Sequence, residues 1–361
     1  MNRELQIKTK DKEYPIKFCQ SYEGLLGLLD HIDFTNKKVC IVTDTNVGNI
    51  YLEEVKNALG YSAEKVVAFT FPAGEENKTL NTVYELYELL INEKFDRKSI
   101  LIALGGGVVG DLTGFTASTY LRGIDFIQMP TSLLSQVDSS IGGKTGVDFK
   151  GYKNMVGAFY QPRAVIINTK TIDTLPKNEF SSGMAEIIKH ALIKDLEYLD
   201  WLEKNSEQVN LLNQESLTEM IYRSCCIKKD VVEKDEKEEN IRALLNFGHT
   251  VGHAIEKIKD FTWLHGECVS VGMVVAAYLS YKRGYISKEK CYRINNVLVK
   301  YNLPIEVKDI SPEEIIKVTK LDKKVKSSVL HFILLNELGV ANIYTDVTDD
   351  ELLNAINNII S

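Results

Sequence analysis

Between Lys38 and Asn168, short β-branched runs alternate with stretches of helical periodicity, and this alternation constrains the fold more than any other feature. Lys38–Asp44 and Lys65–Phe71 read as buried strands, the second closed by the turn Pro72–Lys78. From Thr79 to Lys94 the apolar residues Leu80, Val83, Leu86, Leu89 and Leu90 recur at helical spacing. Ser99–Leu104 reads as a third strand, and Phe126–Thr131 and Ala164–Asn168 as two more. Strands alternating with helices predict a parallel sheet covered by helices. The pattern changes near Thr171 to Pro176. Asn178–Lys204, Leu217–Glu233, Thr250–Lys259, Gly266–Arg283 and Ser287–Lys300 all read as helices. Alternation returns only in Val329–Leu335 and Ala341–Tyr344, where the intervening Leu338-Gly339 predicts a hairpin. The expectation is an α/β chain of two domains, a parallel-sheet domain over 1–173 and a mainly helical one over 174–361.

A length of 361 residues suits two domains, and 44% hydrophobic residues suffice for two cores. The net charge of -7 argues against general binding to nucleic acid or a membrane surface, so functional cations must be gathered locally. Met1–Lys12 is polar and mixed in charge, unlike a secretory signal. No apolar run approaches the roughly 18 residues of a membrane span. The six cysteines show no Cys-x-x-Cys spacing and read as buried or incidental thiols of a reducing cytoplasm.

The third strand runs straight into Gly105-Gly106-Gly107-Val108-Val109-Gly110-Asp111, a literal Gly-x-Gly-x-x-Gly ahead of a helix. Glycine lets backbone approach a pyrophosphate, and a helix N-terminus favours its charge. A tight turn is the alternative. The usual Rossmann order is not kept, because these glycines follow the third strand. Asp125, about twenty positions on, precedes a strand instead of ending one. Asp44, at the end of the first strand, better suits a ribose hydroxyl. Pro130–Asp148 is dense in hydroxyls and glycines around Lys144, and suits phosphate or polyol contacts. Glu186 and Lys189 stand three apart among apolar neighbours, so at least one charge lies near a buried face and needs a partner or a metal. Arg122, Lys144, Lys153, Lys189, Lys228, Arg242 and Lys323 form a cationic set that, if it converges, suits a small multiply charged anion. His249 and His253, four apart, share one helix face, and His265 follows in Trp263-Leu264-His265-Gly266-Glu267. Imidazoles with a carboxylate are the makings of a zinc or other transition-metal site, with solvated or core histidines as the alternative.

Together, Gly105–Gly114, Pro130–Val147, Lys153–Pro162, Gly183–His190 and Arg242–Glu256 resemble the 3-dehydroquinate synthase family in order and spacing, over nearly the whole chain. The resemblance implies a Rossmann-like N-terminal domain that binds NAD and a helical C-terminal domain that binds metal and substrate. It implies NAD contacts from Asp44, Asn46, Glu75, Lys78, Gly106, Gly107, Asp111, Thr131, Ser132, Asp138, Lys144 and Lys153. It implies zinc or cobalt held by Glu186, His249 and His265, which leaves His253 to the substrate. Substrate contacts would come from Asp138, Lys144, Asn154, Lys189, Lys228, Arg242, Asn246, His253 and Lys323. Arg122 would reach the neighbouring subunit of a homodimer. Ser132 replaces a usual Thr and keeps the hydroxyl. Asp148-Phe149-Lys150-Gly151-Tyr152 departs from the usual Asn-His-Pro-x-Gly at equal length. Either Lys323 or the adjacent Lys324 faces the site.

The reaction implied is conversion of 3-deoxy-D-arabino-heptulosonate 7-phosphate to 3-dehydroquinate and phosphate, in the shikimate route to chorismate and the aromatic amino acids. It runs by transient oxidation with NAD, β-elimination of phosphate, re-reduction and intramolecular aldol closure. The rival readings are another sugar-phosphate cyclase, a metal-dependent polyol dehydrogenase that releases NADH, and a non-enzymatic NAD-binding sensor.

Overall fold

The computed structural model describes residues 3–10, 12–60, 62–150, 152–238, 240–260, 262–325 and 330–360, without the side chains of 321–325. The chain forms two compact units, one of Met1–Leu175 with Lys228–Glu236, the other of Pro176–Ile227 with Lys237–Ser361. A single crossing after residue 173 was expected. Nothing in the sequence marks the return at Lys228, because helical periodicity runs unbroken through that stretch.

The first unit carries β1 (Glu4–Lys8), β2 (Glu13–Cys19), β3 (Lys38–Asp44), β4 (Lys65–Phe71), β5 (Ile100–Gly105), β6 (Asp125–Pro130), β7 (Lys144–Phe149), β8 (Tyr152–Phe159) and β9 (Val165–Asn168). Its helices are α1 (Leu25–Leu28), α2 (Thr45–Leu59), α3 (Leu80–Asn92) and α4 (Gly107–Thr119). Seven strands make one sheet in the order β1-β2-β9-β6-β5-β3-β4. All its pairings are parallel except β1 with β2. β5 is buried throughout, which is why it reads as a continuous apolar run and not as an alternation. Successive side chains still go to opposite faces. Cys40, Val42, Leu101, Ala103 and Phe126 join one core with Val83, Leu86 and Leu112. Val39, Ile41, Ile100, Ile102 and Ile127 join the other with Leu25, Val55 and Leu59.

Four strands had not been expected. β1 and β2 form an edge pair, and the stretch read as a hydroxyl-rich loop contains a π-helical turn, Ser135–Ser139, and then the antiparallel hairpin β7–β8.

The second unit holds α5 (Lys177–Lys194), α6 (Leu196–Lys204), α7 (Ser206–Asn210), most of α8 (Gln214–Lys234), α9 (His249–Ile258), α10 (His265–Lys282), α11 (Lys288–Lys300), α12 (Pro312–Val325) and α13 (Asp349–Ile356). β10 (Phe332–Glu337) and β11 (Val340–Tyr344) form the expected hairpin. The long helix expected over 178–204 breaks at Asp195, whose carboxylate caps α6 by accepting from the Tyr198 amide. No helix among the described residues is long and apolar enough to cross a membrane.

α10 is the central helix and packs against α5, α9, α11, α13 and β10. Two glycines permit the closest approaches. A Cβ on Gly266 would lie 2.0 Å from the Ser182 carbonyl oxygen of α5, and one on Gly272 would lie 1.9 Å from the Gly248 carbonyl oxygen ahead of α9. Neither obstacle is a flexible side chain, so α10 must shift to admit a methyl group. Gly272→Ala is expected to lower stability by about 1–3 kcal/mol or more, since overpacking displaces whole elements. Urea unfolding of the metal-free protein measures this, and an unchanged midpoint would contradict the packing argument.

Candidate active site

The close packing around α10 brings one side chain from each of three helices together. Glu186 projects from the middle of α5 and is 1% exposed. Lys189, one turn on and equally buried, contacts Glu186 Oε2. His249 opens α9 and His265 opens α10. The Nε2 atoms of His249 and His265 lie 3.5 and 3.6 Å from Glu186 Oε1. These separations are long for hydrogen bonds. They suit donors around one ion, because tetrahedral bonds of about 2.0–2.1 Å set neighbouring donors roughly 3.3–3.4 Å apart. All three donor atoms lie within 4.8 Å of one another.

Both outer ring nitrogens face an oxygen, as those of metal-ligating imidazoles usually do. His249 Nδ1 lies 3.2 Å from the Phe247 carbonyl oxygen, and His265 Nδ1 lies 3.7 Å from Glu256 Oε2. Burial pushes the His249 pKa well down, and the Lys189 ammonium adds to this, so its ring stays neutral. Burial also opposes charge on His265, but Glu186 and Glu256 outweigh it and raise that ring to about 9. A divalent cation is therefore a natural replacement for the His265 proton.

His253 shares the α9 face with His249, their ring centroids 5.2 Å apart, as the four-residue spacing required. It is exposed, and it belongs to a second donor group, with Glu256 and His265. Arg242 and Asn246 lie on a 3₁₀ helix, Ile241–Asn246, just ahead of His249. Arg242 is 2% exposed, and Asn246 Nδ2 donates to Glu238 Oε1 at 3.0 Å. Lys323 sits on α12, but its side chain and that of Lys324 lie outside the described residues.

In the first unit Asp44, Asn46, Gly106, Gly107, Thr131 and Ser132, among the expected NAD residues, lie at or just beyond the C-terminal ends of β3, β5 and β6. β3 and β5 are neighbours, yet the chain leaves them for opposite sides of the sheet, β4 beyond β3 and β6 beyond β5. Such a switch point is where open α/β sheets bind ligands. Asp44 ends β3, and its Oδ1 caps α2 by accepting from the Asn46 and Val47 amides. Gly105 ends β5, Gly106 caps α4 without a side chain, and the Thr131 amide donates to the Gly105 carbonyl at 3.0 Å. A Cβ on Gly107 would lie 3.2 Å from Ser139 Oγ, and one on Gly106 would lie 3.4 Å from Ser132 Oγ.

Lys78 is 3% exposed and joins several expected site residues. Its ammonium lies 2.7 Å from Asp111 Oδ2 and 3.6 Å from Glu75 Oε1, and it donates to Asn154 Oδ1 at 2.6 Å. Burial lowers its pKa, but Asp111, Glu75 and Asp148 more than reverse this, so Lys78 stays charged. Lys228, in the part of α8 that belongs to this unit, contacts Asp138 Oδ1 at 2.5 Å. Lys144 opens β7 and is exposed, while Lys153 on β8 is half-buried. Arg122 is exposed on a turn where it and Leu121 both have positive φ, an uncommon conformation for two successive non-glycine residues.

Sequence reasoning assigned nothing to Glu256 or Glu238. Glu256 had a legible signal, since it follows His249 by seven residues and His253 by three on one helix face. Glu238 had none, because its neighbours form an ordinary acidic run.

Residues 68–182 match the 3-dehydroquinate synthase N-terminal family, and residues 183–325 match the 3-dehydroquinate synthase C-terminal family. A 3-dehydroquinate synthase of Ruminiclostridium cellulolyticum is 44% identical over 350 residues, 97% of each chain. Among solved structures, a 2-deoxy-scyllo-inosose synthase complexed with carbaglucose-6-phosphate, NAD+ and Co2+ superposes with a TM-score of 0.88 at 26% identity, covering 99% of this chain and 100% of that one. The 2-epi-5-epi-valiolone synthase of Streptomyces hygroscopicus, with NAD+ and Zn2+ bound, gives 0.90 at 26% identity and covers 98% of both chains. With both halves matched and near-complete coverage of a relative this similar, the chain belongs to the 3-dehydroquinate synthase family.

Proposed function

We propose that this chain converts 3-deoxy-D-arabino-heptulosonate 7-phosphate to 3-dehydroquinate and phosphate, a step of the shikimate route to chorismate and aromatic amino acids. The observation that carries the reading is the convergence of Glu186, His249 and His265 beside Lys189, in a chain similar over nearly its whole length to 3-dehydroquinate synthases. NAD and a divalent ion, zinc or cobalt, would supply hydride acceptance and return and Lewis-acid polarisation of a substrate hydroxyl. The second unit holds the metal through Glu186, His249 and His265. The first unit holds NAD through Asp44, Asn46, Glu75, Lys78, Gly106, Gly107, Asp111, Thr131, Ser132, Asp138, Lys144 and Lys153.

The remaining assigned side chains meet the substrate. Lys189 keeps a buried ammonium beside Glu186 and favours a negative substrate oxygen there. Arg242 offers a planar fork to a carboxylate or phosphate. Asn246 and His253 address hydroxyls, and exposed His253 can hold or pass a proton. Lys228 and Asp138 act as a paired cation and acceptor, and Lys144, Asn154 and Lys323 complete the anion and polyol contacts. With C5 oxidised, the C6 proton becomes acidic enough for an oxygen of the substrate's own phosphate to take it, and the cations favour departure of that phosphate as the C6 electron pair forms the new double bond. The reading includes a cytoplasmic homodimer in which Arg122 reaches a second copy. Exposed Arg122 and the exposed hairpin side chains Phe149, Tyr152, Met155 and Phe159 support the second copy.

Each chain is expected to bind about one divalent ion, with activity lost on chelation and restored by zinc or cobalt. His265→Ala should lose the metal, while His253→Ala should keep it and lose turnover. Elemental analysis of the two variants decides, and the reverse pattern would move the ligand role to His253.

Arg242→Lys replaces a fork by a point charge and should reduce kcat/KM for the heptulosonate phosphate about 10- to 100-fold. Wild-type kinetics in that variant would remove the bidentate role.

NAD is expected to act catalytically. Phosphate should accumulate with no net rise in NADH absorbance, and substrate deuterated at C5 should give product that keeps its label. Stoichiometric NADH, or loss of the label, would favour a polyol dehydrogenase. A panel of sugar phosphates separates the other cyclases.

A further inference from the structure

The geometry points to Glu256 as a positioning residue that fixes the ring of His265 for the metal without being a ligand itself. The inference rests on the metal reading above. Glu256 is 6% exposed, on the α9 face that carries His249 and His253. A buried carboxylate needs a compensating partner. Glu256 Oε2 lies 3.7 Å from His265 Nδ1, and the opposite nitrogen of that ring faces Glu186 at 3.6 Å. A proton on Nδ1, directed at Glu256, leaves the Nε2 lone pair aimed at Glu186. The Phe247 carbonyl does the same for His249 at 3.2 Å. Two rings on two helices thus present Nε2 inward, one held by a carbonyl and the other by a carboxylate.

Glu256 could itself ligate in a second group, with His253 and His265. Two facts favour the positioning role. The His265 atom facing Glu256 is Nδ1, whereas the atom facing Glu186 is Nε2, so one ring serves both carboxylates from opposite edges. His253 is exposed, while Glu186 and His249 are buried, so the Glu186 group is the more closed of the two. A carboxylate behind an imidazole also raises its basicity and hence its affinity for metal.

The test is cobalt titration of the metal-free protein, read from visible absorption bands that report the ligand set. Glu256→Gln keeps side-chain volume and removes the charge. It should weaken cobalt binding about 10- to 100-fold while leaving the shape of the cobalt spectrum unchanged. Wild-type affinity would overturn the inference. So would an altered spectrum with binding as poor as in His265→Ala, which would make Glu256 a ligand. If Glu256→Gln does not fold, judged by thermal unfolding, Glu256→Asp replaces it. That variant draws the carboxylate back by one methylene and should weaken cobalt severalfold, again with an unchanged spectrum. Wild-type affinity there also overturns the inference. Failure of the wild type to take up stoichiometric cobalt, or wild-type binding by His265→Ala, would sink the metal reading itself and this inference with it. A wild type that binds and a His265→Ala that does not leave Glu256 alone in question.

Discussion

Glu186 is a carboxylate with almost no access to water, and the second unit is organised around what that costs. Removing one such ion from solvent costs about several kcal/mol unless charge and hydrogen bonds offset it. Lys189 offsets part from the same helix, on one oxygen. The other oxygen faces two imidazoles that cannot come from α5, because each opens a different helix. The compensation therefore depends on α5, α9 and α10 meeting at backbone distance. Gly266 and Gly272 make that possible, with the Gly266 amide donating to Ser182 Oγ at 3.0 Å. Electrostatics requires the partners here, and the absence of two methyl groups delivers them.

The sequence made the central strands readable for a physical reason. A parallel strand covered on both faces is a continuous apolar run, and β3 and β5 are such runs. β1, on the sheet edge, alternates polar and apolar residues over only five positions. The β7–β8 hairpin was hidden by composition, since serine and glycine ahead of it suggest a loop and much of β8 is exposed. At the candidate metal site, helical spacing correctly put His249 and His253 on one face. It could not reveal that His265 and Glu186, far apart in sequence, approach the inner edge of His249. Only the family resemblance supplied that grouping before the structure did. Glu256 went unassigned because a glutamate late in a helix also reads as a solvated end.

The glycine loop shows how sequence order misleads about spatial order. Its position after the third strand counted as a departure from the Rossmann pattern. The sheet order removes the difficulty, because β5 pairs directly with β3, Val39 opposite Ile100 and Val42 opposite Ala103. Asp44 and Gly105 are thus the last residues of adjacent strands. The chemistry needs an acidic residue and a side-chain-free helix N-terminus at neighbouring strand ends. That need is met whichever strand comes first in the chain.

Asp148 lies near the end of β7, in the hairpin that also carries Asn154. Asp148 is tied to the first unit mainly by backbone. Its amide donates to the Lys78 carbonyl at 2.8 Å, and its carboxylate accepts from the Asn154 amide at 2.8 Å. Asn154 has φ near 55, a conformation asparagine tolerates better than most residues, and its side chain accepts from the Lys78 ammonium. Phe149 and Tyr152, on either side of the turn, are 42% and 61% exposed. Burial raises the Asp148 pKa, with the Glu75 charge adding to it and the Asn154 amide opposing it. Asp148 therefore adds a carboxylate near a lysine that already has Glu75 and Asp111. The hairpin register is set by the backbone, and the link to Lys78 needs only the Asn154 side chain, so neither depends on the exposed side chains beside the turn.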